Sequence, residues 1–323
     1  MFLLHAADDA AVPVENSLRL HRAWREAGAP ADLHVFAEGG HGFGMRGARD
    51  RPVAGWPDLV LAWLQALPEP AGAWDPHAGG GRYRNPVIFA DYSDPDVVRV
   101  GSDFYMTASS FNAVPALPIL HSNDLVNWRL VNHAIPRFDD PAFDVPQHGN
   151  GVWAPAIRYY DGHFFIFYGD PDRGIFSVKT RDPRGPWEAP VLVKAGKGLI
   201  DPAPLWDDDG RAYLVHAFAK SRAGFNSVLH VAPMSPDGTR LLGESREVFD
   251  GHADHPTIEG PKFYRKNGWY YIFAPAGGVK EGWQTVLRAR DVYGPYEDRI
   301  VLAEGDTGIN GPHQGAYLEL DSG

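Results

Sequence analysis

From Tyr83 onward the chain alternates short apolar runs with turn residues, always in the same order. An apolar run leads into a turn built on Asp-Gly, Asn-Gly or Gly-Ser, then into an aromatic run such as HFFIFY or WYYIF. This predicts antiparallel hairpins. The unit recurs as Asp94-Pro95-DVVRVGSDFYMTAS, Ala154-Pro155-AIRYYDGHFFIFYG, Asp201-Pro202-APLWDDDGRAYLVHA and Glu259-Gly260-Pro261-KFYRKNGWYYIFAP, with a weaker start at His313-Gln314-Gly315-AYLELDSG. A second phrase, LHSNDLVNWRLV, VKTRDPRGPWEAPVLV or LRARDVYGPYEDRIVL, adds a third strand, a polar turn and a Trp or Tyr that can pack between sheets. The starts at 94, 154, 201, 259 and 313 lie 60, 47, 58 and 54 residues apart. Blades of a propeller take roughly 40–50 residues plus loop insertions. The expected fold over residues 83–323 is therefore an all-β five-bladed β-propeller whose fifth blade is cut short.

Residues 1–67 follow a different pattern. FLLH and DLHVF read as buried strands, VPVENSLRLHRAWREAGAP as an amphipathic helix starting near Val14, and WPDLVLAWLQAL, after a GGHGFG turn, as a second helix. Strand–helix–strand–helix order is α/β. So short a unit would leave apolar surface uncovered. Residues 68–82, rich in Pro, Gly and Ala, read as a linker.

Composition narrows the chemistry. Aromatic content of 12%, with 36 Gly and 28 Pro, favours short strands and many turns over helices. A net charge of −11 argues against nucleic acid or an anionic membrane as partner and suits a neutral ligand handled by acids. The chain has no cysteine, which excludes disulfides, thiol catalysis and thiolate metal sites. MFLLHAADDAAVP lacks a basic n-region and is not read as a signal peptide, so the default expectation is a cytoplasmic chain.

In a propeller the first strand of each blade lines the central channel. Asp94, Asp201 and Glu259 hold the same phase in three blades, so their carboxyls are expected to converge. One Asp-Pro can be a turn cap, but three acids in register point to a site. Clustered carboxylates repel, so some stay protonated and others stay ionised. Glycoside hydrolysis needs that division. Glu259, among apolar neighbours in PTIEGPKF, is the better candidate acid. HADH (252–255) reads as a polar rim loop and WDDDG (206–210) as a solvated turn.

The segments NPVIFADYSDPDVVRVGSDFYMTAS, GNGVWAPAIRYYDGHFFIFYG, LIDPAPLWDDDGRAYLV and TIEGPKFYRKNGWYYIFAP resemble glycoside hydrolase family 43. That family comprises β-xylosidases and α-L-arabinofuranosidases with five-bladed propellers and an inverting mechanism. The resemblance implies Asp94 as general base, Asp201 as pKa modulator and Glu259 as general acid. Inversion separates base and acid by roughly 6.5–9.5 Å, whereas about 5 Å would indicate retention. It also implies sugar contacts from Trp153, Phe111 and Arg288, and a leaving-group cover from Trp283. His313 would bind a structural Ca²⁺ through waters, with no cofactor for catalysis. The partners implied are xylo- or arabino-oligosaccharides. Arabinanase action within the family, and a carbohydrate-binding or inactive fragment of a longer esterase–glycosidase polypeptide, are the alternatives.

HAADDAAVP and EGGHGFGM resemble the C-terminal end of an α/β-hydrolase esterase. Asp9 and His41 match the last two members of its Ser, acid, His order. No Gly-x-Ser-x-Gly motif occurs in the sequence, so no esterase activity is expected.

Overall fold

The structure, a computed structural model, describes residues 1–44, 48, 50–67, 74–144, 149–308 and 311–321. It forms two compact units, Met1–Trp74 and Asp75–Gly323.

In the first unit β1 (Phe2–Ala6) and β2 (Asp32–Phe36) pair in parallel. Parallel neighbours need a long crossover, supplied here by α1 (Glu15–Glu26), and α2 (Trp56–Ala66) follows. Neither helix has a buried residue, and Leu18, Leu20, Trp24, Leu61 and Leu64 are exposed. A two-stranded sheet is too narrow to cover them.

The second unit opens with a small hairpin, β3 (His77–Gly79) and β4 (Arg82–Tyr83), inside the stretch expected to be linker. His77 Nε2 bonds Asn127 Oδ1 at 3.0 Å, tying this hairpin to the sheets that follow. Blade 1 is β5 (Asp96–Val100), β6 (Asp103–Thr107), β7 (Ala116–Ser122) and β8 (Arg129–Ile135). Blade 2 is β9 (Trp153–Tyr160), β10 (His163–Asp170), β11 (Gly174–Thr180) and β12 (Val191–Ala195). Blade 3 is β13 (Leu199–Trp206), β14 (Ala212–Phe218), β15 (Val228–Met234) and β16 (Arg246–Asp250), with a short α3 (Lys220–Ala223) between β14 and β15. Blade 4 is β17 (Lys262–Lys266), β18 (Trp269–Ala276), β19 (Trp283–Ala289) and β20 (Glu297–Leu302), with α4 (Gly278–Glu281) between β18 and β19. Each blade is an antiparallel meander in sequence order.

The hairpin chemistry read from the sequence appears directly in the backbone. Asp161 and Gly162 have φ of +46° and +73°, and Asn267 and Gly268 have +52° and +73°. Two consecutive positive values match the tight turn that suits twisted strands.

The described residues form four blades, not five. Residues 311–321 carry no strand. Their polar groups bind side chains of blades 1 and 4 instead of a ladder: Tyr317 N–H donates to Tyr264 Oη at 3.0 Å, and Arg99 donates to the Glu319 carbonyl at 3.0 Å. These residues reach across the space beside blade 4 without forming a sheet.

Hydrophobic clusters join blade 1 to blade 2 (Ile119, Ile157, Ile166), blade 2 to blade 3 (Phe167, Leu214) and blade 3 to blade 4 (Val215, Phe263, Ile272). No buried cluster joins blade 4 to blade 1 among the described residues. There the tail intervenes, with Tyr317 stacked on Phe273 at 5.3 Å and Arg99 paired to Asp321 at 2.7 Å.

Candidate active site

The residue before each blade-opening proline sets up the site. Asp94 and Asp201 adopt left-handed backbone, φ +52° and +53°, a conformation that costs a non-glycine residue of order 1–3 kcal/mol. In blade 4 the left-handed residue is Gly260, φ +57°, and the acid stands one place earlier at Glu259. A Cβ on Gly260 would lie 2.4 Å from Gln314 Nε2, so any larger residue there would push the Gln314 amide aside. His313 and Gln314, φ +59°, repeat the Glu259–Gly260 pattern in the tail.

The three carboxyls line one cavity of about 190 Å³ together with Phe111, Trp153 and His313. Asp94 Oδ2 accepts from Ser109 Oγ at 2.6 Å and from Ser93 Oγ at 3.2 Å. The two hydroxyl donors fix the orientation of this carboxyl. Asp201 is 3% exposed, and its Oδ2 accepts from Gly260 N–H at 2.7 Å. Burial first, then the charge of Glu259, push its carboxyl up to about 7 against the lowering effects of Gly260 and Lys262. Asp201 therefore keeps its proton toward neutrality. Glu259 Oε1 lies 3.4 Å from His313 Nε2. Burial opposes charge on His313, but the Glu259 contact and the Asp94 and Asp201 charges outweigh it and raise its pKa.

Two buried cations lie along the channel strands. Lys262, fully buried, donates to the Pro155 carbonyl at 3.1 Å. Burial lowers its pKa, while Asp96, Asp201 and Asp94 work to keep it charged. Arg158 reaches Asp96 Oδ2 at 2.5 Å, which also accepts from Ile157 N–H at 2.9 Å.

Phe111 has φ +49° and exchanges two backbone hydrogen bonds of 2.9 Å with Val152. Trp153 donates its indole N–H to the Gly149 carbonyl at 2.8 Å, and Arg222 covers its ring at 5.5 Å. Both rings line the cavity.

Two expected residues lie elsewhere. Arg288 does not line the cavity: it pairs with Glu297 at 3.0 Å and sits 4.8 Å over Trp269. It lies five residues along β19 from Trp283, about 16 Å at the rise of a strand, away from the channel end. Trp283 is outside the cavity wall as well. It donates to His255 Nδ1 at 3.1 Å, so His255 Nε2 carries the proton donated to Asp298 Oδ2 at 2.9 Å. His255 is thus buried support behind Trp283, whereas His252, exposed, pairs with Asp250 at 2.6 Å. The WDDDG turn also departs from expectation. Asp207 is buried and binds Arg265 and Tyr270, linking blade 3 to blade 4. Sequence reading missed Ser109, Gln314, Lys262 and the cavity-lining Val279; only the repeated phase of His313–Gln314 carried a signal.

Among the described residues no three His, Asp or Glu side chains converge to hold a metal. His313 offers one buried, unpartnered atom, Nδ1, and no oxygen cage of the kind Ca²⁺ prefers. Direct Ca²⁺ coordination does not fit these residues.

In the first unit both Asp9 oxygens accept from His41 Nδ1 at 3.1 Å, and Asp9 also caps Ala11 and Val12 N–H at 2.9 Å. No hydroxyl bonds His41 among the described residues; Ser17 Oγ instead bonds His5 Nδ1 at 2.7 Å.

Asp201 gives a pH test. In the unfolded chain it titrates near 3.9, so the stability linked to it is fully present below about pH 4 and lost as pH rises through its folded value. Asp201→Asn keeps an acceptor for Gly260 and removes the titration. Relative to wild type, the variant is expected to gain stability between about pH 4 and pH 8, by up to about 4 kcal/mol. Thermal melts showing a pH-independent difference would show that Asp201 holds no proton.

Four-stranded blades around a channel, with carboxyls from three of them on one cavity, define a propeller with an acidic central site. Residues 83–323 match the model of the glycosyl hydrolases family 43. The chain belongs to that family. Residues 1–67 match the prolyl oligopeptidase family, which supports the α/β-hydrolase reading but no esterase type. The propeller is 46% identical over 246 residues to a putative beta-xylosidase of Xylanibacter ruminicola, covering 76% of this chain and 45% of that protein. It is 35% identical to the non-reducing end alpha-L-arabinofuranosidase BoGH43B of Bacteroides ovatus, covering 67% of this chain and 40% of that one. The structure is similar to a xylan beta-1,4-xylosidase from Bacillus halodurans C-125, with a TM-score of 0.66, 28% identity and coverage of 75% and 49%. The chain spans less than half the length of these relatives.

Proposed function

We propose that the propeller unit is an inverting exo-glycosidase that releases terminal xylose or arabinose from xylan-derived oligosaccharides. The observation that carries this reading is the single small cavity shared by Asp94, Asp201 and Glu259. Asp94, held by two serine hydroxyls, takes a proton from water as the water oxygen bonds to the anomeric carbon. Glu259 gives its proton to the departing glycosidic oxygen as that C–O bond breaks. Asp201, buried beside it, keeps the acidic pair protonated between turnovers. Trp153 and Phe111 offer ring faces to the sugar. The names of the relatives support this substrate class. No hydroxyl bonds the Asp9–His41 pair among the described residues, and we propose no esterase activity for the first unit.

The test is hydrolysis of aryl β-xyloside and aryl α-L-arabinofuranoside, followed by proton NMR of the first-formed sugar. The expected product has inverted anomeric configuration. Retention would overturn the roles of Asp94 and Glu259. A folded chain that binds xylo-oligosaccharides without turnover would favour the binding alternative. Hydrolysis of aryl acetate that His41→Ala abolishes would overturn the proposed lack of esterase activity.

A further inference from the structure

Lys262 opens β17 and is fully buried. Lysine is rarely buried without an acidic partner. Yet among the described residues its ammonium forms no ion pair and one hydrogen bond, to the Pro155 carbonyl at 3.1 Å. That bond ties blade 4 to β9 of blade 2, two blades with blade 3 between them. Stability alone does not explain the charge. A buried charge is costly to desolvate, and an apolar side chain of similar size often serves a fold as well or better.

The neighbours supply the reason. Burial works against the charge of Lys262, as does Arg158 of blade 2, while Asp96, Asp201 and Asp94 favour it. Arg158 is committed to Asp96, which it meets at 2.5 Å. Lys262 is left as the cation for Asp201 and Asp94. Asp201 is answered twice by one short segment, because Gly260 N–H donates to its Oδ2 at 2.7 Å and Lys262 follows two residues on. Burial, then the charge of Glu259, push the Asp201 carboxyl up, with Asp94 adding to the push; Gly260 and Lys262 pull it back. His313, beside Glu259, is the remaining titratable group that faces this cluster.

We propose that Lys262 is a positioning residue for the reaction, a fixed internal countercharge that its tether to blade 2 holds behind the acidic cluster. The proposal rests on the glycosidase reading for the reaction it serves. Lys262 touches no substrate and does not line the cavity. It acts through Asp201, by setting how readily that carboxyl gives up its proton.

The experiment compares the full chain with Lys262→Met, each with and without Asp201→Asn, in thermal melts from about pH 4 to about pH 9. The stability difference between each parent and its Asp201→Asn derivative isolates the Asp201 proton. With Lys262 in place, that difference grows with pH and levels off near the Asp201 value of about 7. In Lys262→Met it is expected to level off about one pH unit higher, since removing a nearby cation disfavours the carboxylate. A lysine with a merely structural role would shift the melting point equally at every pH and leave the levelling point unmoved, which overturns the proposal. If Lys262→Met does not fold, Lys262→Met/Asp96→Asn, which removes one buried charge of each sign, carries the same comparison. On aryl glycosides the alkaline limb of kcat/KM should move up by the same unit. A limb that stays in place in an active variant overturns the proposal too. The melts need no turnover, so a chain that hydrolyses nothing removes the glycosidase reading, while the levelling point still decides whether Lys262 is the countercharge of Asp201.

Discussion

Replacing Glu259 with Gln is expected to lower kcat/KM about 100- to 10,000-fold on glycosides with a poor leaving group. With a dinitrophenyl leaving group, which departs without a proton, the loss should be small. The contrast follows from position. Glu259 is the partly open member of the acidic pair, its side chain 27% exposed, whereas Asp201 is sealed beneath it. An amide of the same size removes the proton and keeps the packing. Steady-state kinetics on an aryl series with graded leaving groups measures the effect. Equal losses across the series would sink the acid assignment, because they would show a defect indifferent to proton donation.

Arg158→Met is expected to destabilise the propeller unit by about 3–5 kcal/mol, the usual result of stripping one partner from a buried pair. Asp96 is 0% exposed and accepts from Arg158 and from Ile157 N–H through the same oxygen. Without the guanidinium, its charge stays buried with one backbone donor. At roughly 2–4 °C per kcal/mol for a unit of this size, the midpoint should fall by about 6–20 °C. Asp96→Asn in the same chain should recover much of that loss, since it removes the stranded charge. Thermal melts of the two single variants and the double variant test this. A loss below about 1 kcal/mol would show that Lys262 alone neutralises Asp96.

The repeat carried most of the fold and the centre of the site. Strand alternation and the Asp161-Gly162 and Asn267-Gly268 turns are local physics, and the backbone follows them. The three carboxyls were legible because blades set around one channel turn equal phase into spatial convergence. What failed was long-range. Whether Arg288 faces the channel depends on its register against Tyr271 and Glu297, which no local pattern encodes. Asp207 read as turn chemistry because its partner, Arg265, lies 58 residues away. Ser109 and Lys262 act through contacts with Asp94 and Pro155 on distant parts of the chain. The fifth phrase has the right residues at its start, but phrase and blade are different things when the described residues beyond it make no ladder.

The place of the tail has a mechanical meaning. Asp94 belongs to blade 1 and Glu259 to blade 4, and these are the two blades without a shared hydrophobic cluster. Their span is bridged by the segment that carries His313 inside and Tyr317, Glu319 and Asp321 outside. Asp94 and Glu259 thus sit on the two jaws of a caliper, and the tail is its clamp screw. Part of that screw is ionic and exposed, so salt loosens it before it touches the rest of the ring. The gap between those two carboxyls is gauged by a strip of chain whose described residues make no sheet.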